Sequence, residues 1–84
     1  MLTIKVLGSG CANCKQLEQI TRKVVDQLGV EAEVIKVTDP TAYADYGVMA
    51  TPGLVVNGTT VSSGRIPSMA EVTTFVTTAM ASSE

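Results

Sequence analysis

Thr3-Ile4-Lys5-Val6-Leu7-Gly8-Ser9-Gly10-Cys11-Ala12-Asn13-Cys14 is the stretch from which the rest of the chain is read. Thr3 to Leu7 is β-branched and mostly apolar, which predicts a buried strand, and Gly8-Ser9-Gly10 closes it with a flexible turn. The turn delivers the chain to Cys11. From there Cys14, Leu17, Ile20, Val24, Val25 and Leu28 recur at three- and four-residue steps, while Lys15, Glu18, Gln19, Arg22, Lys23 and Asp26 fill the other face. That spacing predicts an amphipathic helix ended by Gly29, with Glu18 and Arg22 as an i, i+4 surface pair.

Outward from this unit, Glu31 to Val37 alternates as a second strand, with Ala32 and Val34 on one side and Ile35 and Val37 beside them. Two parallel strands joined by a helix make a right-handed βαβ unit. Asp39 before Pro40 is an N-cap followed by a first-turn proline, opening a short helix through about Tyr46 that Gly47 terminates. Leu54-Val55-Val56 and Thr60-Val61-Ser62 flank Asn57-Gly58, the dipeptide suited to a type I′ hairpin turn. Ser68-Met69-Ala70-Glu71 is a capping box, and Val72, Phe75, Val76, Ala79 and Met80 supply the inner stripe of a last helix. The expectation is an α/β fold of order β-α-β-α-β-β-α, a four-stranded mixed sheet flanked by three helices.

The 84 residues suffice for one domain, 1–84, with 81–84 read as a frayed tail. Apolar residues make up 45% of the chain and charged ones 17%, a globular composition. The net charge of −2 and scattered Lys and Arg give no stripe for a phosphate backbone, which argues against nucleic acid as a partner. No apolar run approaches the ~20 residues that span a bilayer, so no membrane is expected. Met1 to Lys5 lacks the features of a signal peptide, and the expected setting is cytoplasmic. In a reducing cytosol a lone cysteine pair is more often catalytic or metal-binding than a structural staple.

Cys11 and Cys14 are the two cysteines of the chain. A thiol at a helix's first turn is favoured as thiolate by the dipole and the unsatisfied N–H groups. Dithiol chemistry needs such an attacking thiolate and a second sulfur near enough to resolve the mixed disulfide, and CxxC across one turn meets both needs. Cys14 shares the stripe of Leu17, Ile20 and Val24 and should face inward, whereas Cys11 stands at the exposed tip. Cys11 is therefore assigned as nucleophile and Cys14 as resolving thiol. Thr51-Pro52 precedes a strand that ought to be central, where proline is tolerated at the start; a cis peptide fits there, but taken alone the pair reads as an ordinary trans-Pro turn.

Element order, the placement of CxxC and Thr51-Pro52 before the hairpin together resemble the thioredoxin fold over nearly the whole chain. More narrowly, Ile4-Lys5-Val6-Leu7-Gly8-Ser9-Gly10-Cys11-Ala12-Asn13-Cys14-Lys15, Gly47-Val48-Met49-Ala50-Thr51-Pro52 and Val56-Asn57-Gly58 resemble the small redox-active disulfide proteins of prokaryotes. The resemblance implies a thiol–disulfide oxidoreductase whose Thr51-Pro52 bond is cis and lies across from the dithiol, with the Thr51 backbone pairing with substrate. It implies that Cys11 attacks a disulfide-containing protein substrate, that Cys14 releases the reduced product, and that the protein leaves as the redox-active disulfide Cys11–Cys14, with no other cofactor. Its reductant would be a thioredoxin-reductase-type flavoenzyme or another dithiol donor, and the protein itself a monomer.

Typical thioredoxins carry Trp before the first cysteine and Gly-Pro between the two. Here Gly10 and Ala12-Asn13 stand in those places, and the potential is open to tuning by Ala12 and Asn13. The buried acid that thioredoxins carry on the strand leading to the site is also missing, since no Asp or Glu precedes Glu18. Lys5 occupies that strand and Lys36 the next. Either both ammonium groups reach solvent at a sheet edge, or one lies near the sulfurs and favours the thiolate.

Met49 reads as core filler rather than a metal thioether, Tyr43 and Tyr46 as packing against the sheet, and Arg65 as a surface charge. Without histidine in the chain, Ser-His catalysis is excluded. The rival functions are a Cu(I) carrier using both thiolates and a non-enzymatic redox-regulated binding module. Metal-carrier domains with this CxxC placement end in a strand, whereas a capped helix ends this chain. A tetrahedral zinc site would need ligands from a second copy.

Overall fold

The computed structural model describes residues 2–8, 12–48 and 50–82. Seven elements follow in order: β1 (Leu2–Leu7), α1 (Ala12–Leu28), β2 (Ala32–Val37), α2 (Pro40–Asp45), β3 (Gly53–Val56), β4 (Thr59–Ser63) and α3 (Met69–Ser82). The strands form one mixed sheet in the order β2-β1-β3-β4. β1 runs parallel to β2, with Leu7 opposite Val37, and antiparallel to β3, with Leu7 opposite Gly53. The C-terminal end of β1 therefore meets the start of β3.

Alternation along β1 divides the interior between the two faces of the sheet. Leu2, Ile4 and Val6 join Leu54 and Val56 beneath Leu17 and Val24 of α1 and Val72 and Val76 of α3. Leu7 and Val55 face the other way, against Val48, with Val37, Tyr43 and Tyr46 packed on them. The two tyrosines do lie on one side of the sheet. β2, at the edge, is nowhere fully buried and exposes Glu33 and Lys36, charges that discourage pairing with another chain.

Local chemistry accounts for the turns and caps. Asn57 and Gly58 both have positive φ, 51° and 82°, as a type I′ turn demands. Asn57 does more than turn the chain: its N–H donates to Thr3 O at 2.8 Å, and its Oδ1 accepts from Thr3 N at 2.9 Å. The turn thus extends the β1–β3 pairing. Asp39 Oδ1 accepts from the Thr41 hydroxyl at 2.8 Å and from its N–H at 3.0 Å; those two bonds, hydroxyl first, lower its carboxyl pKa. β4 carries a bulge where Leu54 pairs with Ser62 but Val55 with Thr60.

The helices differ in detail from what periodicity predicts. α3 runs on through Ser82 and so takes in Ala81, while Ser83 and Glu84 lie outside the described residues. Leu28 is 37% and Met80 44% exposed, since each lies in the last turns of its helix, beyond the strands it covers. Conversely, Thr21 is fully buried on the α1 stripe. Its hydroxyl donates to Leu17 O at 2.8 Å, so a polar side chain enters the core with its hydrogen bond already made.

The capping box forms as the sequence indicates. Ser68 N donates to Glu71 Oε1 at 3.1 Å, and Glu71 N donates to Ser68 Oγ at 3.2 Å. Arg65 is more than an isolated surface charge, because its two guanidinium nitrogens reach the same carboxylate at 2.7 and 3.2 Å. The Arg65 bond foremost, then that from Ser68 N–H, bring the Glu71 pKa down to about 2. A carboxylate with a depressed folded pKa stabilises the fold above its unfolded pKa of about 4.3. That contribution disappears as pH falls toward about 2. Thermal melts from pH 5 to pH 2 are therefore expected to show a steeper loss of stability for the wild type than for Glu71→Gln, the two curves converging at the acid end.

Candidate functional site

The site is built where β1 ends, α1 begins and the loop into β3 arrives. Cys14, in the first turn of α1, is 1% exposed and in its disulfide-bonded form. It shares the buried stripe of Leu17, Thr21 and Val24. Cys11, the expected nucleophile, lies outside the described residues, as does Met49. Ala12 and Asn13 are both exposed on the first turn of α1.

The Thr51–Pro52 peptide is cis. Thr51 is exposed and Pro52 buried. The loop reaches Cys14 by way of Gly8: a Cβ built on Gly8 would fall 2.1 Å from Cys14 Sγ, 3.0 Å from Cys14 Cβ and 3.8 Å from Thr51 Cβ. The end of β1, the buried sulfur and the residue before the cis proline thus converge on one point. On the other side of the loop, Gly64 N–H donates to Pro52 O at 3.0 Å, which joins the segment after β4 to the segment before β3. Gly53 is equally constrained, because a Cβ there would come within 2.9 Å of Val48 Cγ1.

Neither lysine carries its ammonium group alone. Lys5 stands on β1, an interior strand rather than an edge, opposite Ile35 and Val55. Its Nζ donates to the Tyr46 hydroxyl and lies 5.0 Å from the centroid of that ring, a charge-assisted bond reinforced by the ring face. Lys36 Nζ is 3.8 Å from Glu18 Oε1. Glu18 Oε2 meanwhile accepts from Arg22 Nε at 3.1 Å. The first acid of the chain is therefore engaged on the outer side of α1.

Gly8 and Gly64 are the site residues that the sequence did not single out. The glycine-rich turn signalled flexibility, yet what Gly8 supplies is clearance, for which the sequence-level cue was a glycine where two backbones approach closely. Among the described residues, no group of three or more His, Cys, Asp and Glu is gathered where a metal ion could be held. No helix among them is long and apolar enough to cross a membrane.

A family model described as Thioredoxin domain matches residues 2–77. The chain belongs to the thioredoxin domain family. Two archaeal thioredoxins, from Methanocaldococcus jannaschii and Methanothermobacter thermautotrophicus, are each 39% identical to it over 72 residues. Those matches cover 86% of this chain and 83% and 94% of the relatives. Among solved structures, the germline-specific thioredoxin Deadhead of Drosophila melanogaster superposes with a TM-score of 0.68 at 17% identity, over 92% of this chain and 79% of that one. This last likeness concerns the fold alone. Thioredoxins are thiol–disulfide oxidoreductases, and that is the reaction class of this family member.

Lys5 bonds to Tyr46 and Lys36 faces Glu18, so each ammonium group has a partner other than a sulfur. Titration of the Cys11 thiolate in Lys5→Ala and Lys36→Ala is accordingly expected to give the wild-type midpoint in both variants. A raised midpoint in either would make that lysine a thiolate-stabilising cation.

Proposed function

We propose that this protein reduces disulfides of protein substrates through the pair Cys11 and Cys14, in the cytoplasm and as a monomer. The observation that carries the reading is the packing of the buried Cys14 sulfur against Gly8, beside the residue preceding the cis proline. An inward sulfur that substrate cannot reach directly suits resolution rather than first attack.

In this reading the Cys11 thiolate attacks one sulfur of the substrate disulfide, and the other leaves as a thiolate. The backbone of Thr51, an exposed residue, aligns the substrate segment alongside. Cys14, giving up its proton to the departing substrate thiolate or to water, then attacks the Cys11 sulfur and expels the second substrate sulfur. Substrate gains two electrons and two protons, and the protein is left as the Cys11–Cys14 disulfide. A thioredoxin-reductase-type flavoenzyme or another dithiol donor returns the two electrons. Ala12 and Asn13, exposed between the cysteines, set the potential together with the helix terminus. A Cu(I) carrier is the weaker alternative, because a helix, α3, follows the β3–β4 hairpin and the cis Thr51–Pro52 bond has no place in the metal-carrier pattern.

The reduced protein is expected to reduce a model disulfide such as that of insulin, with turnover abolished in Cys11→Ser. Cys14→Ser is expected to stop after the first attack and accumulate a mixed disulfide, visible as a mass adduct. Full activity in Cys11→Ser, or tight Cu(I) binding with disulfides left untouched, would overturn the assignment.

A further inference from the structure

We infer that Gly8 is the positioning residue for the resolving sulfur: the absence of a side chain there opens the slot that Cys14 Sγ occupies. The inference builds on the dithiol reading of the site, and its carrier is a distance. A methyl group on Gly8 would sit 2.1 Å from Cys14 Sγ, far inside the ~3.5 Å or more at which non-bonded atoms pack best. Little around the slot can yield. Gly8 itself is pinned, its N–H donating to Val37 O at 2.9 Å in continuation of the β1–β2 pairing. Cys14 is fixed by α1, one turn before the fully buried Leu17. Thr51 closes the third side, 3.8 Å from the same methyl position. A side chain at Gly8 therefore expels the sulfur, and strand and helix part by a few tenths of an ångström to ease the 3.0 Å approach to Cys14 Cβ.

The consequence is chemical. Exchange between sulfurs requires near-attack geometry, and a displacement of about 1 Å costs on the order of a hundredfold in rate. In Gly8→Ala the first attack by Cys11 on substrate is expected to keep its wild-type rate, while the step in which Cys14 resolves the mixed disulfide slows roughly ten- to a hundredfold. The mixed disulfide then accumulates in a protein that still has both cysteines. Because the slot is filled in the disulfide-bonded form, evicting the sulfur also disfavours that form. Equilibration with glutathione should shift toward the dithiol by roughly tenfold, equivalent to about 30 mV.

A stability cycle separates the sulfur from the backbone. Gly8 has φ +157°, so alanine carries a conformational cost of its own there, and this cost persists when the sulfur is removed. The melting temperatures of the wild type, Gly8→Ala, Cys14→Ala and the double variant are compared. The expected result is a large drop for Gly8→Ala that is mostly relieved in the Cys14→Ala background. Equal drops in both backgrounds, or failure of both Gly8→Ala proteins to fold, would overturn the inference, as would an unchanged resolution rate and glutathione equilibrium. Full turnover by Cys11→Ser would instead overturn the dithiol assignment while leaving the cycle readable.

Discussion

The position of β1 as an interior strand, paired parallel on one side and antiparallel on the other, is the constraint on which everything else rests. Parallel pairing with β2 requires a crossover, and α1 supplies it, so the helix has to start just past the end of β1. Antiparallel pairing with β3 brings the start of that strand to the same end. One strand's two neighbours thereby carry the CxxC turn and the cis-proline loop to a common place. The alternation of Leu2, Ile4 and Val6 against Lys5 and Leu7 then decides which helices cover which face.

That framework was legible because it is encoded in period and punctuation. Asn57-Gly58 announced a turn with two positive φ angles, and Ser68 with Glu71 announced a reciprocal cap; both depend on neighbours a few residues apart. The inward direction of Cys14 followed from its place on the Leu17 and Val24 stripe. Thr51-Pro52 could be located before a strand, but its isomer is a property of the assembled loop that nearby residues alone do not specify.

What escaped the sequence depended on distance in the chain. Thr21 is polar by composition yet behaves as a core residue once Leu17 O accepts its hydrogen. Leu28 and Met80 obey helical periodicity but outrun the sheet beneath them. Lys5 could not be paired with Tyr46 before α2 was folded onto the β1 face, because the two are remote in sequence. Gly8 was legible only as a flexible residue; its missing side chain acquires meaning when a sulfur from the next helix is laid against it. Cys11 lies outside the described residues, and its role rests on the dithiol reading.

The bond from Gly64 N–H to Pro52 O has a bearing on how a partner would experience this surface. It welds two separate loops into one rim. Gly64 is next to Arg65, Arg65 grips Glu71, and Glu71 caps α3, so the rim is moored to a helix that packs on the far side of the sheet from α2. On the proposed reading, a protein docking at Thr51 meets a rim tied, through Gly64 and Arg65, to the cap of a helix. Salt that screens that pair would loosen the anchorage of the rim at α3.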